Sequence, residues 1–543
     1  MIETPLQCFL KWEQKAGDRI FLRQPANSEW HTYSYRQAGN EIRRLAAYLA
    51  SELPAESNVA ILSKNCAHWL MADLAIMMAG HVSVPVYPTL SSAGINQILT
   101  HSNVAAIFLG KLDDYPAQQQ GIPAMKKICF PLYGYHEGVL WDDIVKGNPP
   151  MKTGDLNHHK KVATIMYSSG TTGTPKGVML THEAFGYVGE EVMRDLAITK
   201  PERFFSYLPL SHIAERGLME MVALASGSTI SFAESLDQFA ENLRHEKPSI
   251  FGGVPRIYAK FQEGVLKKIP QQKLERLLRL PIVSSIVKRS IIRKLGLSKA
   301  KVIVSGAAPT PVSLLAWFAK LGLCVREVYG MTENTAFSHA NYRKIKLGTV
   351  GEPWPNVETK ISDDGEILIR HKALMKGYYR DPETTAQVFT GDGFLKTGDQ
   401  GSIDEDGFLT ITGRVKDQFK TDKAKFIAPA PIEMKFLANT DIEQVCVVGM
   451  GIPQPIALIV LAESARNKSK AEINNAISDQ IQQINPSLES YERIARGVVM
   501  KNPWTLENGL MTPSLKVKRN EIEKIFFSRY PAWYRETNLI VWE

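Results

Sequence analysis

The feature that most limits the fold of this chain is an alternation. Short β-rich runs give way to turns of small residues and then to helical stretches, over most of 543 residues. "KVIVSGAAPTPVSLLAWFAKLGL" (Lys301–Leu323) is one instance: strand, small-residue turn, helix, with Pro311 in the first helical turn, where no amide donor is needed. "KVATIMY" (Lys161–Tyr167) predicts a strand, and "EAFGYVGEEVMRDL" (Glu183–Leu196) predicts the helix that follows its loop. "VREVYGMTE" adds another strand and loop. This order argues for parallel strands joined by helical crossovers, hence α/β layers. A hairpin is predicted over Gly401–Arg414, with Asp406-Gly407 as its turn. After Arg414 a polar, lysine-rich stretch leads into an α+β remainder. A domain boundary is therefore expected near Lys416, giving a large domain over 1–415 and a small one over 416–543.

Composition narrows the class. With 44% hydrophobic and 22% charged residues the chain reads as soluble and globular. Its five cysteines form no CxxC pair, so no disulfide framework or structural zinc site is suggested, and a reducing compartment fits. The N-terminal stretch lacks a signal-peptide pattern. The longest apolar run, Trp69 to Ala79, is interrupted by Asp73 and predicts a buried helix. The expected location is the cytoplasm.

The net charge of +8 is unevenly spread: residues 267–301 carry +10 and the rest of the chain −2. Two readings of this basic, partly apolar segment stay open. One is a solvated helical face over a local core; the other is peripheral contact with the inner face of an anionic membrane. Nucleic acid is disfavoured, because the segment has no aromatic residue to stack on bases.

Chemistry concentrates in "YSSGTTGTPKGVMLTH" (Tyr167–His182). A loop between a strand and a helix can aim several backbone amides at one anion. Ser168, Ser169, Thr171 and Thr172 add hydroxyl donors, Gly170 and Gly173 allow close approach, and Lys176 adds a charge. The set suits a polyphosphate. It is not a Walker A loop, because the second glycine of that pattern falls on Pro175 and Gly177 follows the lysine.

This string closely resembles the phosphate loop of the adenylate-forming superfamily, which includes acyl-CoA synthetases and luciferase-like enzymes. Further family motifs follow in order: "SGAAPTP" (Ser305–Pro311), "YGMTE" (Tyr329–Glu333), "VGEPWPNVETKI" (Val350–Ile361), "KTGDQG" (Lys396–Gly401), "GRVKD" (Gly413–Asp417) and "LMTPSLKVKR" (Leu510–Arg519). "LPLSHIAERG" (Leu208–Gly217) and "FGGVPRIYAKF" (Phe251–Phe261) look most like the long-chain fatty-acyl-CoA synthetases. The resemblance implies α/β lobes and a β-rich subdomain in the N-terminal domain, with a mobile C-terminal domain.

It also implies site roles. Glu333, with Thr171, would bind Mg²⁺; Thr332 would donate to the α-phosphate; Tyr329 and Gly330 would border the adenine, and Tyr329 would stack on it. Gly306, Ala307 and Ala308 would form the adenine shelf. Asp399 would accept from the ribose hydroxyls, with Arg414 in support. Lys516 would be the adenylation lysine; Lys518, two residues on, would point the same way on an extended segment. Lys416 would be the hinge, and His212 would line the acyl pocket, whose wall would include residues 216–231 and the neighbourhood of Gly330; Arg216 would position the Mg²⁺–nucleotide side indirectly.

The implied activity uses ATP to convert a medium- or long-chain fatty acid, or another carboxylic acid, to acyl-AMP. Transfer to coenzyme A follows. One departure keeps an alternative open: Ala424 stands where the family usually has glycine in the thiol-tunnel loop. A fatty-acyl-AMP ligase that serves an acyl carrier protein is therefore the rival, and an inactive nucleotide- or lipid-binding scaffold is the other-class alternative. The intact Lys176, Glu333, Asp399, Arg414 and Lys516 argue against the scaffold.

Overall fold

A computed structural model of the chain describes residues 2–27, 29–134, 137–152, 159–168, 175–423, 425–512 and 516–543. The alternation noted above becomes two large sheets. The first has nine strands, ordered Glu352–Pro353, His339–Ala340, Val325–Tyr329, Val302–Ser305, Ile250–Gly253, Arg203–Ser206, Thr229–Phe232, Ile20–Ala26 and Glu29–Ser34. The six from Val325–Tyr329 to Ile20–Ala26 pair in parallel. The second sheet has eight strands, from Gly377–Tyr378 through Lys176–Thr181, Val162–Ser168, Val82–Val86 and Asn58–Leu62 to Val139–Leu140. A four-stranded antiparallel sheet, Glu358–Ile361 to Leu409–Arg414, makes the β-rich part.

Local sequence explains the elements. The helix Ala67–Met78 is buried all round, as a nearly unbroken apolar run must be. The hairpin turns where predicted: Gly407 has φ +86° and the Asp404 carboxylate accepts from the amides of Asp406 and Phe408. Pro311 lies one step earlier than expected, as the residue that caps the helix Val312–Lys320.

One expectation is overturned. The phosphate-loop region does not join a strand to a helix; it joins two antiparallel strands, Val162–Ser168 and Lys176–Thr181, paired from Val162↔Thr181 to Ser168↔Lys176. The helix His182–Asp195 begins only after the second strand. The physical reason is the run Val178–Leu180, which the sheet buries at Val178 and Leu180.

One apolar cluster runs through both large sheets, from Leu6 to Leu409. Two further clusters lie wholly within 419–540, around a four-stranded sheet made of Ile442–Val448, Ile456–Leu461, Arg496–Val499 and Ile540–Trp542. Between these cores, Lys416 is exposed in the tight turn Val415–Asp417. No helix among the described residues is long and apolar enough to cross a membrane.

Candidate active site

Parallel strands in an open sheet present their carboxyl-terminal loops on one edge, where ligands characteristically bind. Four neighbouring strands of the nine-stranded sheet do so here. Val325–Tyr329 leads into Gly330–Asn334, Val302–Ser305 into Gly306–Thr310, Ile250–Gly253 into the helix Pro255–Leu266, and Arg203–Ser206 into the stretch ending at His212. Small residues there are sterically required. A Cβ on Gly330 would lie 2.4 Å from the Ala336 backbone, and one on Gly306 would lie 2.7 Å from Val328 Cγ2. Ala307 holds φ +66°, a left-handed conformation that costs an L-residue roughly 1–2 kcal/mol and is typical of functional loops. Ala308 is exposed beside it.

Thr332 and Glu333 lie in the short helix Thr332–Asn334. Glu333 is buried, and burial raises its carboxyl above the ordinary value. Its Oε1 accepts a 2.9 Å hydrogen bond from the Tyr378 hydroxyl. The Lys176 ammonium stands 5.0 Å from the centre of the same tyrosine ring, so Tyr378 connects two predicted site residues. Tyr378 itself was not singled out in the sequence. It belongs to a two-residue strand paired with Lys176–Thr181, and no motif marks it.

Asp399 is held at both oxygens. Arg414 Nε lies 3.0 Å from Oδ1, and the Tyr329 hydroxyl donates to Oδ2 over 2.7 Å. Each carboxylate oxygen keeps a second lone pair, so two ligand hydroxyls could still be accepted. Tyr329 is buried.

Lys516 reaches this group from the C-terminal side. Its amide donates to Thr512 Oγ1 (3.0 Å) and its carbonyl accepts from the Thr512 amide (2.8 Å), and beside them Met511 is bridged to Val517. The residue is exposed by surface area, yet protein lies close around its side chain. Burial and then the Arg414 charge lower its pKa, while Asp399 and Glu333 oppose that shift. Lys518 directly precedes the helix Arg519–Phe526. Arg519 pairs with Glu433 and anchors the start of that helix.

His212 is pushed down to about 4, first by burial and then by the Lys516 charge. Its Nδ1 accepts from the Ala214 amide over 3.2 Å, which leaves the neutral ring its proton on Nε2. Immediately after it, Ala214–Glu220 forms a π-helix, a geometry often found at functional sites. Arg216, expected near the acyl wall, points into the core. It contacts Asp73 at 2.6 and 2.7 Å, Ser83 at 2.8 Å and Thr164 at 2.5 Å, and neither member of the ion pair has any exposed side chain. Asp73, the lone charge in an apolar helix, was the signal for such a partner, since a buried charge must be paired. Glu215 and Glu220 are also buried and complete no hydrogen bond. Burial lifts Glu215 to about 8, partly offset by Ser206 and the Tyr207 backbone, and lifts Glu220 well above its usual value.

Ser168 closes its strand at the edge of the phosphate loop. Ser169, Gly170, Thr171, Thr172, Gly173 and Ala424 lie outside the described residues.

Comparison with known proteins identifies the family. The profile of the AMP-binding enzyme family matches residues 9–379, and that of the AMP-binding enzyme C-terminal domain matches 416–538. The long-chain-fatty-acid–CoA ligase FadD15 of Mycobacterium bovis is 29% identical over 579 residues, covering 96% of each chain. Long-chain-fatty-acid–CoA ligase 5 of Mus musculus is 29% identical over 604 residues, covering 95% of this chain and 86% of that one. Among solved structures, the adenylation domain of a carboxylate reductase from Mycobacterium chelonae superposes with a TM-score of 0.82 at 22% identity, over 98% of this chain and 91% of that one. An anthranilate CoA ligase in complex with anthranoyl-AMP gives 0.78 at 20%, over 96% and 97%. The chain therefore belongs to the AMP-binding enzyme family, as an adenylate-forming enzyme similar to acid–thiol ligases of the long-chain fatty-acid kind.

Proposed function

We propose that this enzyme activates a medium- or long-chain fatty acid with ATP, forming acyl-AMP and pyrophosphate, and then passes the acyl group to coenzyme A. The observation that supports this most is the convergence of Lys516 with Arg414, Asp399 and Glu333 from the two sides of residue 416. A fatty acid is ionised at neutral pH, so attack on the α-phosphorus needs no general base. It needs in-line positioning and cations to spread the developing charge.

Lys516 supplies such a cation where the acid meets the nucleotide. His212, neutral and with its proton on Nε2, can donate to the acid without adding a competing charge. Thr332 donates to the α-phosphate, and Asp399 accepts from the ribose with Arg414 and Tyr329 holding it. Gly306, Ala307, Ala308 and Gly330 leave room for the base. Lys176 and the hydroxyl loop from Ser168 to Gly173 hold the outer phosphates. Glu333 offers the hard carboxylate oxygen that Mg²⁺ prefers, so it fits, with Thr171, an ion carried in on the triphosphate. Such an ion neutralises phosphate charge when bound. Lys416 serves as the hinge between the half-reactions.

A second reading is favoured by Ala424: transfer to an acyl carrier protein. A solved relative, the A-PCP didomain of a carboxylic acid reductase from Segniliparus rugosus, joins such a domain to a carrier. AMP release across acids of increasing length, with and without coenzyme A, tests both readings. Coenzyme A-dependent turnover with long acids supports the first. Pyrophosphate release without thioester formation supports the second.

A further inference from the structure

The basic segment folds into two helices, Gln271–Leu278 and Pro281–Lys294, whose inner faces pack on the local core through Leu274, Leu278, Val287 and Ile291. The turn between them and the start of the second helix are different. Leu280, Ile282 and Ile286 are 53%, 79% and 64% exposed, and no apolar cluster includes them. On the second helix Ile282, Ile286, Arg289 and Arg293 are all exposed, and their spacing of four, three and four residues makes one outward stripe. The stripe is apolar at the turn and cationic beyond it, extending about 16 Å. The first helix adds Lys273 and Arg276, and the turn adds Arg279, all exposed. The segment's single acid, Glu275, is paired with Lys320 outside it.

We propose that this turn docks the protein on an anionic lipid surface, with Leu280, Ile282 and Ile286 entering the headgroup boundary. Arg279, Arg289 and Arg293 then meet lipid phosphates. The order along the stripe sets the approach: the turn enters first, and the cations follow at phosphate depth. Apolar insertion and attraction to anionic lipid act together in such elements. Charge excludes the simplest protein partner. A second copy of the same face would set a patch of like charges against itself. A nucleic acid would leave three large aliphatic side chains facing phosphate. This inference is independent of which acid the enzyme activates.

The test is co-sedimentation of the full chain with vesicles of phosphatidylcholine alone, or with about one third phosphatidylserine. Wild type should sediment with the anionic vesicles only, and less so as salt rises. Ile282→Ser/Ile286→Ser and Arg279→Gln/Arg289→Gln/Arg293→Gln should each weaken partitioning by about tenfold or more, with unchanged thermal melting. Wild type that ignores anionic vesicles, binds both vesicle types alike, or binds no better than either variant would overturn the proposal. So would a wild-type dimer that Ile282→Ser/Ile286→Ser dissociates. No readout here depends on adenylation, so failure of the docking and failure of the catalytic reading are separable.

Discussion

At the scale of single residues, the core of this enzyme carries ionisable groups that its chemistry does not use directly. Besides the buried Asp73–Arg216 pair, two carboxyls are buried: Glu220, which feels both members of the pair, and Glu215, which acts on Glu220. Burial holds Glu215 protonated up to about pH 8 and, with the Asp73 charge, raises Glu220 well above its usual value. The consequence for stability has a definite sign. Glu215 holds its proton in the fold up to about pH 8, whereas the unfolded chain loses it near pH 4.5. Stability from this group is complete at low pH and is lost as pH rises toward 8. Glu215→Gln should therefore stabilise the protein little at pH 5 and by on the order of a few kcal/mol at pH 8. Thermal melts at both pH values check this; an equal gain at both would refute it. Tyr378 permits a second residue-level prediction. Its hydroxyl lowers the Glu333 pKa against the burial that raises it. In Tyr378→Phe the acid limb of the adenylation pH profile should move upward, with the rate loss confined to that limb. An unmoved limb would mean that the hydrogen bond does not tune Glu333.

At the scale of elements, sequence periodicity carried the fold far. The small-residue turns after Ser305 and Tyr329 could be read directly, because only glycine tolerates backbone as close as Ala336 lies to Gly330. The hairpin at Asp406-Gly407 was equally legible. The short strand Lys176–Thr181 was not: its signal is six residues beside a loop whose hydroxyls dominate the reading. Missing it put a helix terminus where an antiparallel pair stands. The π-helix escaped for another reason, since an extra residue per turn leaves no local sequence mark, and Arg216, expected in the acyl wall, turns inward to Asp73. Tyr378 escaped because its role exists only once two distant strands pair.

At the scale of the whole molecule, the cleft draws its groups from both sides of residue 416, and Lys516 is the contribution of the smaller side. If the half-reactions use different arrangements of the two parts, losing Lys516 should damage only one. Lys516→Ala should cut acyl-AMP formation by about a hundred- to a thousandfold, by analogy with removal of other single charge-stabilising donors. Thioester formation from supplied acyl-AMP should stay near the wild-type rate; parallel loss of both would assign the lysine a structural role. The central claim, that this cleft joins an organic acid to adenylate, is tested most directly by fatty-acid-dependent exchange of labelled pyrophosphate into ATP without any thiol. The account predicts exchange that requires the acid and disappears in both Lys516→Ala and Glu333→Gln. Absence of exchange with every acid from short to long and aromatic, or undiminished exchange in those variants, would contradict it.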